Sequence, residues 1–237
     1  MNIRKTQFWK YGRNIYFTSK IFFDTYIKSL FTDSFSQYGE DKIINRLLGN
    51  KKNGFYIDIG ANHPDRFSNT KKFYLKGWRG INIEPNPVSF NKFSKRLHDM
   101  NLNIGIGTTS QGLDFYCFYE DTLSTFSEKS KDEYIGHGYK LIDILKVEVQ
   151  SLEKIFQNYV QDKTVDFISI DVEGFEMEVL KSNNWDIYKP TLIILESNGS
   201  SMNPNIVYEH IDFLRPFGYK LEYFNGLNSF FRLSNEK

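Results

Sequence analysis

The chain has 237 residues, 40% of them hydrophobic, which suits one domain with a sizeable core and argues against disorder. Its 30 Lys and Arg nearly cancel its 29 Asp and Glu, so a global polyanion-binding role finds no support and only a local basic patch stays open. The single cysteine, Cys117, excludes an intramolecular disulfide and a cysteine-based zinc cluster, and it fits a reducing cytoplasm.

Residues 1–35 are basic and aromatic. Tyr11, Ile15, Phe22, Tyr26 and Leu30 recur at near-helical spacing, with Arg4, Lys5, Lys10, Arg13, Lys20 and Lys28 between them. Two readings follow: a helix on an anionic membrane surface, or a helix packed on the catalytic domain or on a second subunit in a homodimer. No stretch reaches the roughly 18–20 uninterrupted apolar residues of a membrane span, and the features of a signal peptide are missing.

From residue 54 the pattern alternates between strands and helices, as in a mostly parallel sheet covered on both faces. Gly54–Ile59 (GFYIDI) reads as a buried strand, Asn69–Lys76 as a helix stopped at Gly77, and Gly80–Glu84 as a second strand. Val88–Met100 reads as a charged amphipathic helix, and Asn101–Ile106 and Gly112–Tyr119 as a strand and its extension. The polar stretch near 120–145 breaks the rhythm, as lids and binding loops do. Then come a strand at Lys146–Gln150, a helix at Ser151–Asn158, a strand at Val165–Ile170 and a helix at Glu173–Lys181. A strand at Thr191–Leu195, a helix at Asn205–Leu214 and two closing strands, Tyr219–Phe224 and Asn228–Leu233, complete the chain.

Glu84, Asp171 and Glu196 each end a strand, and Asp58 sits one residue before the end of its own. Ligands of open α/β sheets bind outside the carboxyl ends of the strands, so four acids at that edge point to a site. Any one of them alone would be read as a helix cap. Glu84 stands where dinucleotide-binding folds carry the acid that accepts from ribose hydroxyls, about 20 residues past the first turn. A carboxylate suits a vicinal diol because it can accept from both donors. The first turn, Phe55–Asp65 (FYIDIGANHPD), has Ala61 and Asn62 where a pyrophosphate site needs further glycines, and Asp58 would repel phosphate. An aspartate there suits a ribonucleoside bearing an amino acid and a sulfonium, which describes S-adenosylmethionine.

SQYGEDKIINRLL (36–48), FYIDIGANHPDRFSNT (55–70), GWRGINIEPNP (77–87) and VDFISIDVEGFEMEVLK (165–181) resemble, in order and spacing, the FkbM family of S-adenosylmethionine-dependent methyltransferases. The resemblance covers roughly residues 36 to 235 and makes 36–237 the methyltransferase domain. It implies a class I methyltransferase, Rossmann-like α/β fold with a seven-stranded sheet of order 3-2-1-4-5-7-6, strand 7 antiparallel. It also implies that Asp58, Gly60 and Asn62 hold the methionine end of the cofactor and that Glu84, with Pro85 and Asn86, holds the ribose. Ser68, Asn69 and Thr70 would either face the cofactor carboxylate or cap the first helix. Gln37 and Glu40 lie in the family's opening segment and would close over the cofactor.

Methyl transfer to a hydroxyl requires alignment and removal of a proton. Asp171, Glu173, His63 and His210 are the candidate bases, Asp171 being favoured, with Glu173 orienting the substrate or taking the proton itself. His63 otherwise holds the turn. Asp171 and Glu196 end strands expected to be neighbours and offer a second option, a shared divalent metal that polarises two sugar hydroxyls. His98 and His137 lack ligand spacing, and the aromatics of 115–126 serve either as sugar-stacking faces or as core. The expected activity is O-methylation of a sugar, nucleotide-activated or part of a surface-polysaccharide precursor, in the cytoplasm or at the inner face of its membrane. The alternative is a non-sugar acceptor, a secondary metabolite or nucleic acid. Near-neutral charge and the lack of a basic aromatic groove count against nucleic acid.

Overall fold

Strands covered on both faces carry unbroken apolar runs, and such runs form the centre of this molecule. The computed structural model describes residues 33–197 and 205–234. Strand β1 (Phe55–Ile59) is buried throughout and lies parallel to β2 (Arg79–Ile83) on one side. Beyond β2 lies β3 (Met100–Leu102), also parallel. Strands β4 (Gly105–Ile106), β5 (Leu113–Phe118), β6 (Leu141–Val147) and β7 (Val149–Gln150) leave the main sheet, pairing β4 with β7 and β5 with β6. Strand β8 (Phe167–Ile170) returns to the other side of β1, followed by β9 (Leu192–Glu196). The chain ends in a hairpin, β10 (Tyr219–Phe224) and β11 (Asn228–Leu233), with β11 inserted antiparallel between β9 and β10. The order across the sheet is β3-β2-β1-β8-β9-β11-β10. Counting only its seven strands, this is 3-2-1-4-5-7-6 with strand 7 (β11) antiparallel, the topology the resemblance implies.

The helices are α1 (Glu40–Leu47), α2 (Lys71–Leu75), α3 (Pro87–Phe90), α4 (Glu128–Gly136), α5 (Leu152–Ile155), α6 (Glu176–Lys181) and α7 (Asn205–Leu214). Successive residues of β1 feed opposite layers, as the period of a strand requires. Tyr56 packs with Phe73, Trp78 and Phe167 on one face, and Ile57 and Ile59 pack with Leu152, Val179 and Trp185 on the other. Among the described residues, no helix is long and apolar enough to cross a membrane. The helix expected at the N-terminus falls on residues outside those described.

Three expectations need correction. The helix expected over Val88–Met100 is only α3 followed by a 3-10 turn at Asn91–Lys95, and Met100 already belongs to β3. Two charged residues within this stretch point inward. Arg96 is buried, donates to the Pro64 carbonyl at 2.5 Å and to Ser68 Oγ at 3.2 Å, and lies over the Tyr74 ring. Asp99 accepts from Tyr56 Oη at 2.6 Å and from Gly80 N at 3.0 Å. This buried network holds the chain off a helical path. Next, β5 does not extend β3: it pairs with β6, and the polar excursion between them carries α4, capped by Ser127 Oγ accepting from Ser130 N. Finally, the helix expected from Glu173 begins only at Glu176. Glu173 and Gly174 are both left-handed (φ 54 and 93), and Glu176 Oε1 accepts from Val172 N and Gly174 N.

Candidate functional site

The carboxyl ends of β1, β2, β8 and β9 open into one cleft. At its centre the chain leaves β1 through Gly60, at φ 77. A Cβ there would lie 1.8 Å from the Asp171 carbonyl oxygen, so the turn and the end of β8 approach too closely for any side chain. Asp58 is buried just before this turn and accepts from Thr70 Oγ1 at 2.7 Å. Burial pushes its carboxyl up to about 6, opposed by the Thr70 bond and the Arg96 charge.

Glu84, one residue past β2, is buried and held by two backbone donors. Asn62 N reaches Oε2 and Asn86 N reaches Oε1, each at 2.7 Å. Burial pushes Glu84 up to about 7 despite these bonds. Each oxygen keeps a further lone pair for a donor in the cleft. Asn62 adopts φ 49, a conformation asparagine tolerates, and its Oδ1 accepts from Arg66 Nη2 at 3.1 Å.

Of the remaining expected residues, Gln37, Ser68, Asn69 and Pro85 line the cleft. The Ser68 hydroxyl is taken up locally, accepting from Lys71 N at 3.1 Å at the start of α2. Asn69 Nδ2 donates to Ser169 Oγ at 3.0 Å. Asn86 does not line the cleft. Its side chain caps α3, accepting from Val88 N at 2.9 Å, and its contribution is the backbone bond to Glu84. Glu40 is buried at the cleft wall, accepting from Asn225 and Asn228.

The cleft continues into a chamber of about 650 Å³ whose walls include Tyr38, Phe67, Tyr134, His137 and Tyr139. Asp171, Glu173 and Glu196 line both parts. Each presents an oxygen within 4.8 Å of the others. Asp171 is open to the cleft by area but enclosed on its other sides, and enclosure governs its chemistry. Burial, then repulsion from Glu176, raises its proton affinity, against a hydrogen bond from Glu196. Glu196 is raised too, by burial and then by the neighbouring carboxylates Asp171, Glu173 and Glu176. Glu173 is raised by burial and by Asp171. Three acids this close cannot all be ionised without a counter-charge.

Both histidines named as bases are occupied elsewhere. His63 Nδ1 accepts from Asp65 N at 3.1 Å and Arg66 N at 3.0 Å, and the residue does not line the cleft. Burial and the nearby Lys92 and Arg66 lower it to about 4, so it is neutral with its proton on the other nitrogen. It holds the turn. His210 is buried beside Ser197, with burial lowering it to about 4.

Sequence reasoning missed the partners that join the excursion to this turn. Arg66 Nη2 donates to Asp121 Oδ1 at 2.6 Å, and Asp121 lines the cleft. The pair is 55 positions apart, so no local pattern announces it. The aromatics of 115–126 are divided: Tyr116 and Phe118 are core, whereas Phe115 and Phe126 also line the cleft.

A sequence model of the methyltransferase FkbM domain matches residues 58–221. Similar solved structures include the N-terminal domain of human METTL16, 11% identical over 84% of this chain and 69% of that one, with a TM-score of 0.47. Another is the fibrillarin pre-rRNA processing protein of Methanococcus jannaschii, 14% identical over 79% of this chain and 69% of that one, TM-score 0.41. A third is TrmK of M. capricolum in complex with S-adenosylhomocysteine, 12% identical over 80% and 66%, TM-score 0.41. No curated protein matches significantly. With the matched segment spanning more than half of the chain, from Asp58 to the closing hairpin, this protein belongs to the FkbM family of S-adenosylmethionine-dependent methyltransferases.

Proposed function

We infer that the acceptor is a sugar hydroxyl, borne by a nucleotide-activated sugar or a surface-polysaccharide precursor in the cytoplasm. The observation that carries this reading is the continuity of the two cavities: the turn at Gly60 and the oriented Glu84 open directly into a chamber with tyrosine walls and a carboxylate floor. Aromatic faces and hydrogen-bond acceptors together suit a polyhydroxyl ring. The residues fit S-adenosylmethionine, since Glu84, its two oxygens oriented by Asn62 N and Asn86 N, keeps two lone pairs for its ribose at the edge of the cleft. That cofactor supplies an electrophilic methyl group. Asp58, Asn62 and Ser68 would surround its methionine end, and Asp171 would take the hydroxyl proton.

Incubating the protein with tritiated S-adenosylmethionine and a mixed nucleotide-sugar pool is expected to label a sugar. Labelling confined to RNA or to a lipophilic metabolite would overturn the sugar assignment while leaving the methyltransferase intact.

A second reading is favoured by one observation. Glu196 Oε2 is buried without a partner, beside Asp171 and Glu173. Those three oxygens would suit a hard divalent cation, which prefers carboxylate ligands and supplies Lewis acidity to a bound hydroxyl. On this reading Mn²⁺ binds the wild-type protein in calorimetry and loses its free-ion electron paramagnetic signal, whereas E196Q binds it about tenfold or more weakly. No Mn²⁺ binding, with transfer unaffected by chelator, would leave Asp171 as the base.

A further inference from the structure

The excursion between β5 and β6 makes three separate contacts with the left-handed turn at Glu173–Gly174. The Tyr134 hydroxyl, from α4, donates to Glu173 Oε2. Thr125 Oγ1 donates to the Glu173 carbonyl oxygen at 2.9 Å. Ser130 Oγ lies 2.3 Å from where a Cβ on Gly174 would stand, so α4 is seated directly on that glycine. Left-handed φ is uncommon for a glutamate and persists only where surroundings impose it. The Tyr134 ring is itself fixed, edge-on to Phe118 at 5.5 Å and to Tyr139 at 6.1 Å, and it is buried.

We propose that Tyr134, aided by Thr125, is a positioning residue for methyl transfer: it fixes the Glu173 carboxylate on the acceptor side of the cleft, so that the excursion acts as the clamp of the acceptor chamber. The proposal rests on the reading above that this chamber receives the acceptor. It holds whether Glu173 orients a hydroxyl or takes its proton, because either role needs the carboxylate in one place. A lid free to drift would have no reason to bond both the side chain and the backbone of one strained residue. Tyr134 and His137 also wall the chamber, so the element that aims Glu173 is the one that shapes the space the acceptor enters.

The test compares wild type, Y134F, E173Q and Y134F/E173Q, using tritiated S-adenosylmethionine with the mixed nucleotide-sugar pool. Y134F removes only a hydroxyl, and one charge-assisted hydrogen bond corresponds to about 10- to 100-fold in rate. We expect kcat to fall by that factor in Y134F, with S-adenosylhomocysteine affinity unchanged and acceptor KM changed less than threefold. In the double variant the Tyr134 effect should vanish, because it acts through Glu173. If the wild type labels no sugar, the chamber reading itself fails; if it does and E173Q retains the wild-type rate, the positioning role is overturned and the chamber reading stands. If E173Q is slow but Y134F is as fast as wild type, or the two effects multiply, the positioning role is overturned and the chamber reading stands. Should Y134F fail to fold, T125V is expected to slow transfer and T125S to restore it; equal rates in both would overturn the clamp.

Discussion

Replacing Glu84 with alanine is expected to weaken S-adenosylhomocysteine binding by about 100-fold or more in calorimetry, the low end of what loss of two charge-assisted hydrogen bonds produces. The cause is partly the lost acceptors for the ribose diol and partly the turn itself. Glu84 is what the Asn62 and Asn86 N–H groups bond to, so alanine leaves two backbone donors without their partner. Glutamine is not a harmless substitute, because it offers one acceptor oxygen where the two N–H groups face one oxygen each. One of them would meet an amide donor. The pH dependence has a defined sign. Glu84 is held up at about 7 in the free protein, and the form that accepts from two hydroxyls is the ionised one. Affinity therefore rises with pH, by up to tenfold per unit below about 7, and levels off above it. Asp58, raised to about 6, steepens the slope at the acidic end. In E84A the portion due to Glu84 disappears. Unchanged affinity in E84A would remove Glu84 from the ribose role.

What was legible in the sequence is what local pattern carries. Strands β1, β2, β8 and β9 are covered on both faces, so their apolar runs betray them, and the acids at their ends necessarily share one edge. Helix α7 and the closing hairpin fall at the expected residues because Gly218 and Asn225–Leu227 punctuate them. The illegible parts share a different cause. Arg96 and Asp99 look like a solvated helix face, yet their partners, Pro64, Ser68, Tyr56 and Gly80, lie on other elements. Asp171 and Glu196 could be placed together from strand order alone. Glu173 could not be placed as precisely, because its conformation depends on Tyr134 and Thr125, which are 39 and 48 positions away. His63 was open for a simpler reason: its sequence position allows both a base and a turn acceptor, and the two N–H groups aimed at its Nδ1 support the second.

Asp171→Asn is expected to leave S-adenosylhomocysteine affinity within about threefold of wild type and to cut turnover by about 10²- to 10⁴-fold, the range for loss of a positioned base. The separation of the two effects follows from geometry. The contact of Asp171 with the cofactor turn is made by its backbone: its N–H donates to the Ile59 carbonyl at 3.0 Å, and its carbonyl oxygen is what excludes a side chain at Gly60. Both survive the substitution. The side chain faces the chamber floor, where oxygens of Glu196 and Glu173 lie within 4.8 Å of it. An acceptor hydroxyl that reached this floor would meet a carboxylate whose proton affinity has been raised by burial. That makes it a stronger base than a solvated aspartate while it stays within reach of ionisation. Asparagine preserves size and polarity but cannot take the proton, and it relieves the crowding of acids, so the variant should be at least as stable as wild type. A stable, cofactor-binding D171N that transfers methyl at the wild-type rate would move the base elsewhere, to Glu173. A D171N that loses cofactor would mean that the carboxylate belongs to the methionine end of the cleft.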